Sequence, residues 1–162
     1  MTREHKLGYE AEDTISGVKG VVTAHYFMWY NSPRVGIQPK ATKDKPNEVP
    51  DVQEIDEHVM KFGKKSDLKV PQFAAEIYEF GDECTDSVTG YKGQVAAICY
   101  YISGCVHVCL TPKHTDKKEK FQAGVWFAQE RLDLVKPKKK RKVQSFAGIG
   151  GPRESSAKEK AI

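Results

Sequence analysis

The sequence predicts a mainly β protein, built as two tandem small antiparallel β-barrels followed by a flexible basic C-terminal tail. Three observations carry that expectation. Gly8 to Lys40 matches Gly81 to Lys113 without a gap at an offset of 73 residues, and eleven of the 33 pairs are identical, among them Gly17/Gly90, Lys19/Lys92, Gly20/Gly93, Val22/Val95 and Pro39/Pro112. Within each copy, β-branched and aromatic residues alternate with polar ones between Gly and Pro breaks. After Val135 the composition turns abruptly to cations, Gly and Ser. Self-similarity at a fixed offset marks a duplicated folding unit, and alternation with period two marks strands. The expected organisation is residues 1–62 as the first unit, 63–80 as a linker, 81–135 as the second unit and 136–162 as the tail.

Each copy opens with an alternating segment and a Gly-rich turn. In the second copy, Glu83, Asp86 and Thr89 interleave with Cys84, Val88 and Tyr91, and Gly90 and Gly93 then flank Lys92. Glycines three apart suit a tight turn that needs positive backbone angles on the way into the next strand. That strand, Val21 to Trp29 or Gln94 to Ile102, breaks at Asn31-Ser32-Pro33 or Ser103-Gly104, which predicts a hairpin. In the return strand Val106, Val108 and Leu110 alternate with Cys105, His107 and Cys109, as Pro33, Val35 and Ile37 alternate with Ser32, Arg34 and Gly36, so the valine register is expected to face the core. Pro39 and Pro112 end it, because proline donates no ladder hydrogen bond. A polar loop and a short apolar segment close each copy, Val52 to Phe62 and Val125 to Val135. Four or five short strands in so few residues make a small, strongly bent barrel of the Src-homology-3-like kind. Within the linker, Val70 to Phe80 reads equally as a strand or as one or two helical turns.

Units this small bury little surface, so the two are expected to pack on each other or on a partner. Net charge is +4, yet residues 136–162 hold nine Lys or Arg against two Glu, which leaves the preceding body at −3. The tail should stay mobile until a partner orders it. Its sharpest string, Pro137 to Val143, has Lys138, Lys139, Lys140, Arg141 and Lys142 in succession. It resembles a monopartite nuclear-import signal, but the favoured reading is an electrostatic arm for phosphates or an acidic protein surface. MTREHKL lacks a secretory apolar run, and no segment approaches the roughly 20 apolar residues of a membrane span, so the chain is expected to be soluble and made in the cytosol, without membrane contact.

Chemistry has little support. Cys105, His107 and Cys109 share one face of a strand with Cys99 beside them, a set that could hold zinc. The turn-borne Cys-x-x-Cys spacing is missing, however, and the first copy has Ser32, Arg34 and Gly36 there, so half-buried thiols are the favoured reading and no metal or cofactor is expected. An intersubunit disulfide stays open. The five histidines show no pattern with a nucleophile, and Glu10/Glu83 and Asp13/Asp86 fit turn capping or pairing with Lys19/Lys92 better than acid–base work. An enzyme is not expected. Aromatics dominate interface energetics, which nominates Trp29, Tyr30, Tyr101 and Trp126, with Phe27 and Tyr100, as docking anchors or plain core.

The second copy also carries a longer pattern: Gly81, Asp82, Asp86, Val88, Thr89, Gly90, Gly93, Tyr101, Gly104, Cys105, Val106, Val108, Pro112, Trp126, Phe127 and Leu132. In these positions it resembles a group of small virion-associated proteins of tailed bacteriophages. Tyr91 stands where that group has Phe, and Ala128-Gln129 where it has an acidic pair. The resemblance implies a structural component of the virion that decorates or cements the capsid, or attaches at the neck or tail. Its expected partners are the major capsid, neck or tail protein, with a homo-oligomer open. The alternative expectation is a nucleic-acid binder that uses the barrels and the basic tail.

Overall fold

The computed structural model describes residues 3–73, 77–113 and 123–136. Among them, ten strands form one antiparallel sheet. These are β1 Tyr9–Asp13, β2 Lys19–Met28, β3 Arg34–Gln38, β4 Gln53–Asp56, β5 Met60–Lys65, β6 Glu83–Asp86, β7 Lys92–Tyr101, β8 Val106–Thr111, β9 Val125–Ala128 and β10 Leu132–Leu134. Two 3₁₀ turns, Glu57–Val59 and Gln129–Arg131, separate β4 from β5 and β9 from β10. The halves share one pairing scheme: β1 lies between β2 and β5, β2 pairs β3, and β3 pairs β4. In the second half β6 lies between β7 and β10, β7 pairs β8, and β8 pairs β9.

The sheet is antiparallel as expected, but it is not closed into a barrel. The cause is visible in β2. Its one side carries β3, while its other side carries β1 over Lys19 to Val21 and then β7 over Ala24 to Met28. The end of β2 that a closed barrel would curl back onto its own unit is thus hydrogen-bonded to the other unit. A register shift between Val22 and Ala24, repeated between Val95 and Ala97, supplies the bend that lets one strand serve both neighbours.

The valine register does face inward. Val22, Val35, Ile37, Val95, Val108 and Leu110 are all fully buried, and each such side chain contributes about 1.5–3 kcal/mol of burial. The paired glycines divide into two kinds. Gly17 and Gly90 have φ of +75° and form the turn, whereas Gly20 and Gly93 do not adopt positive φ and are needed for closeness. A Cβ on Gly93 would stand 2.7 Å from the Thr111 carbonyl oxygen, and one on Gly20 would run into that of Gln38.

β5 runs through Lys65, three residues into the stretch read as linker. From Val70 to Phe80 the described residues form neither strand nor helix; they are a strap across both units. Phe73 meets Tyr100 edge to face at 5.0 Å. The Tyr78 hydroxyl lies 2.8 Å from the Leu132 carbonyl and 3.0 Å from that of Gln129. The strap thereby ties its phenol to the carbonyl that opens the 3₁₀ turn and to the one that begins β10.

Because the Gly93 clash is with backbone rather than a movable side chain, Gly93→Ala should lower unfolding free energy by about 1–3 kcal/mol in urea titrations, with the slope unchanged. An unaltered midpoint would show that the strands can part at no cost.

A candidate docking surface at the seam

Where β2 meets β7, the register is Ala24 opposite Tyr101, Tyr26 opposite Cys99 and Met28 opposite Ala97. Residues 24 and 97, and 28 and 101, are equivalent in the two copies, so the first and last of these pairs are one contact seen from both sides. A local two-fold axis passes between Tyr26 and Cys99. Alternation then divides the side chains. His25, Phe27, Ile98 and Tyr100 face the core, while Tyr26, Cys99 and Tyr101 face the other way.

On that outer face Tyr26 meets Tyr101 at 6.4 Å and Trp126 at 6.0 Å, both edge to face. Tyr101 meets His107 at 5.0 Å. The strand pairing explains the gathering, since Cys99 is opposite His107 and Cys109 is opposite Trp126. Trp126 keeps 40% of its surface exposed. Beneath the rings, Cys99 is fully buried with its thiol 3.9 Å from the Tyr100 carbonyl, and Glu54 acts on the Tyr26 hydroxyl. Burial pushes the Cys99 thiol up to about 12, and burial with the adjacent thiol pushes the Tyr101 hydroxyl up to about 12. At neutral pH these groups keep their protons, so Cys99 is a packed thiol rather than a nucleophile or ligand. Among the described residues all four cysteines are free, and no three His, Cys, Asp or Glu side chains gather as a metal site.

The other nominated residues lie elsewhere. Trp29 stacks on Tyr30 at 4.6 Å, and its ring rests where a Cβ on Gly81 would come within 2.8 Å. Tyr30 is 80% exposed. Phe27 and Tyr100 are inward, meeting edge to face at 5.9 Å. Lys138, Lys139, Lys140, Arg141 and Lys142 lie outside the described residues. Sequence reading thus named Tyr101 and Trp126 as anchors and His107 only as a possible zinc ligand, and missed Tyr26 and Glu54. Simple alternation puts Tyr26 in phase with the inward Val22, and only the register shift between Val22 and Ala24 turns it outward.

Two polar features remain. His25 is fully buried, accepts at Nδ1 from the Lys6 backbone N–H at 3.1 Å, and stacks on Phe27 at 4.3 Å. A backbone N–H only donates, so Nε2 carries the proton and points it at Glu57, 3.3 Å away. This acid–imidazole pair fastens the N-terminal arm, and the bond from His25 holds the Glu57 carboxyl below its usual range. Three of the four repeated acids cap a turn or form an ion pair. Asp13 accepts from the Ile15 and Ser16 amides, Asp86 accepts from the Thr89 amide and from Arg131 at 2.7 Å, and Glu83 pairs with Lys113 rather than Lys92. In the first unit Glu10 and Lys40, equivalent to Glu83 and Lys113, instead line an open groove of about 490 Å³ with Lys61 and Phe62.

Comparison with protein-family models, curated proteins and solved structures finds no match. Among the described residues no helix is long and apolar enough to cross a membrane.

His5 packs on Phe73 at 5.1 Å, and burial, then His25 and Lys65, hold its pKa below the ordinary 6.5. The folded chain therefore binds fewer protons than the unfolded one just below that value, so stability is kept above it and falls as acid drives protonation. Melting temperature should drop between about pH 7 and 5, and His5→Gln should flatten that limb. A wild-type curve with no slope there would contradict the assignment.

Proposed function

We propose that this chain is a structural component of a tailed-phage virion: a docking module that decorates or cements the capsid, or attaches at the neck or tail. The observation that carries the reading is the outer seam face, where Tyr26, Tyr101 and Trp126 form a half-exposed aromatic platform on a sheet made rigid by the seam. Aromatic rings fixed in place lose little entropy on binding and bury much area, which is what a docking anchor requires. The nominated chemistry points the same way, because its buried His, Cys and Asp groups are committed to holding the fold. The resemblance of the second copy to small virion-associated proteins supplies the phage assignment.

We read each unit as an opened Src-homology-3-like barrel. Support comes from five strands in the lateral order β5-β1-β2-β3-β4, with a 3₁₀ turn between the fourth and fifth, repeated in the second half. The basic residues 136–162 then serve as an electrostatic arm along an acidic shell. Binding of nucleic acid through that arm is the alternative, favoured by the cation run from Lys138 to Lys142.

The protein should be found in purified particles at a fixed ratio to the major capsid protein. Tyr101→Ala and Trp126→Ala should each weaken attachment to particles lacking the protein by roughly 10–100-fold, with folding intact. Removing residues 136–162 should leave most of the affinity. Absence from particles would end the virion reading. Loss of nearly all affinity on removing the tail, with a steep salt dependence beforehand, would favour nucleic acid.

A further inference from the structure

The turns leading into β2 and β7 end in exposed hydrocarbon. Ile15 is 80% exposed and Val88 72% exposed, and the two positions are equivalent in the duplicated sequence. Each turn is fastened by the same set of bonds. The Gly17 and Gly90 amides donate to the carbonyls of Asp13 and Asp86 at 2.8 Å. The Ser16 and Thr89 hydroxyls accept from the Val18 and Tyr91 amides at 3.3 Å. The Thr14 and Ser87 amides donate to the carbonyls of Val59 and Arg131, at 3.0 and 2.8 Å, which ties both turns to the neighbouring 3₁₀ elements.

Folding does not account for the tip residue. A turn tip favours polar or small side chains, and an apolar group left in water contributes nothing to the core. A single exposed apolar residue is ordinary on any surface. Here the same β-branched type stands at the same place in both copies, on a turn held still by its polar neighbours. Tyr30, comparably exposed, has Ser103 as its counterpart and shows no such pairing. The local axis adds the decisive constraint. Because β2 and β7 are antiparallel, the turns that precede them lie at opposite ends of the paired strands, with Ile15 and Val88 at most about 73 Å apart at roughly 3.3 Å per residue. Two like contacts related by a two-fold axis match a partner that offers one socket twice in the same relation.

We propose that Ile15 and Val88 are twin docking knobs that seat together in two equivalent apolar sockets of a symmetric homo-oligomeric protein. The inference rests on the reading of the chain as a docking module. Either knob alone is a small contact, and the pair gains its strength because the second seating is intramolecular.

The test uses the full chain in the host that makes it, with a photo-crosslinking amino acid placed at position 15, at position 88, or at the exposed control position 45. Positions 15 and 88 should each yield a product with one and the same protein, and position 45 should not. Against that purified protein, Ile15→Asn and Val88→Asn should each raise Kd about 100-fold and the double variant should abolish binding, as expected for two linked contacts. Both sites are exposed, so melting temperature should not move. No product at either position, different partners at the two, or a single variant of unchanged affinity would overturn the inference. A shared partner that is not a virion protein would leave the knobs standing and remove the virion reading. Crosslinks obtained from Tyr101 or Trp126 but not from the turns would do the reverse.

Discussion

The antiparallel pairing of β2 with β7 is the constraint on which the other features depend. It turns two units too small to bury much surface into one continuous ten-stranded sheet. It also decides which side chains meet, because a shift of one residue in this register would send Tyr26, Cys99 and Tyr101 into the core and bring His25 and Tyr100 out. The outer aromatic platform and the buried His25 are therefore two sides of one alignment. Barrel closure is what the seam displaces, since the same backbone groups cannot bond both within the unit and across it.

Around that seam the two copies keep their shared framework and vary their polar trim. Both retain the aspartate-capped turn, the bend after Val22 or its equivalent Val95, and a bare glycine against a facing carbonyl. They differ where a charge can be held more than one way. Asp86 has Arg131, while the equivalent of that arginine is Val59, whose carbonyl alone serves the turn. Glu83 is tied to Lys113, while Glu10 and Lys40 both line an open groove. One architecture thus carries two different surfaces in its two copies.

Much of this was legible in the sequence, for reasons that can be named. Alternation placed Val35, Ile37, Val106, Val108 and Leu110 in the core because strand periodicity leaves no freedom once one face is buried. The recurrence of Asp13 and Asp86 beside Gly17 and Gly90 announced a capped turn. Three things were hidden. Barrel closure was assumed because each unit was read alone, and no local pattern shows that the end of β2 bonds to another unit. Gly20 and Gly93 looked like turn residues, but steric closeness and positive φ leave the same letter in the sequence. The role of Tyr78 came from a contact with Leu132, more than fifty residues away, which periodicity does not report. At the candidate surface Tyr101 and Trp126 follow from residue type, whereas Tyr26 faces outward only because the register shift after Val22 reverses the alternation.

The axis between Tyr26 and Cys99 has a consequence for how such a chain can evolve. In an assembly of two identical subunits, whatever occupies the dyad must confront itself, so a bulky ring there meets a second bulky ring and a thiol meets a thiol. Joining the subunits in one polypeptide removes that obligation: here a phenol rests over a sulfur, large beside small, a packing that self-facing symmetry forbids. Covalent linkage has allowed unlike side chains to share the centre of the molecule.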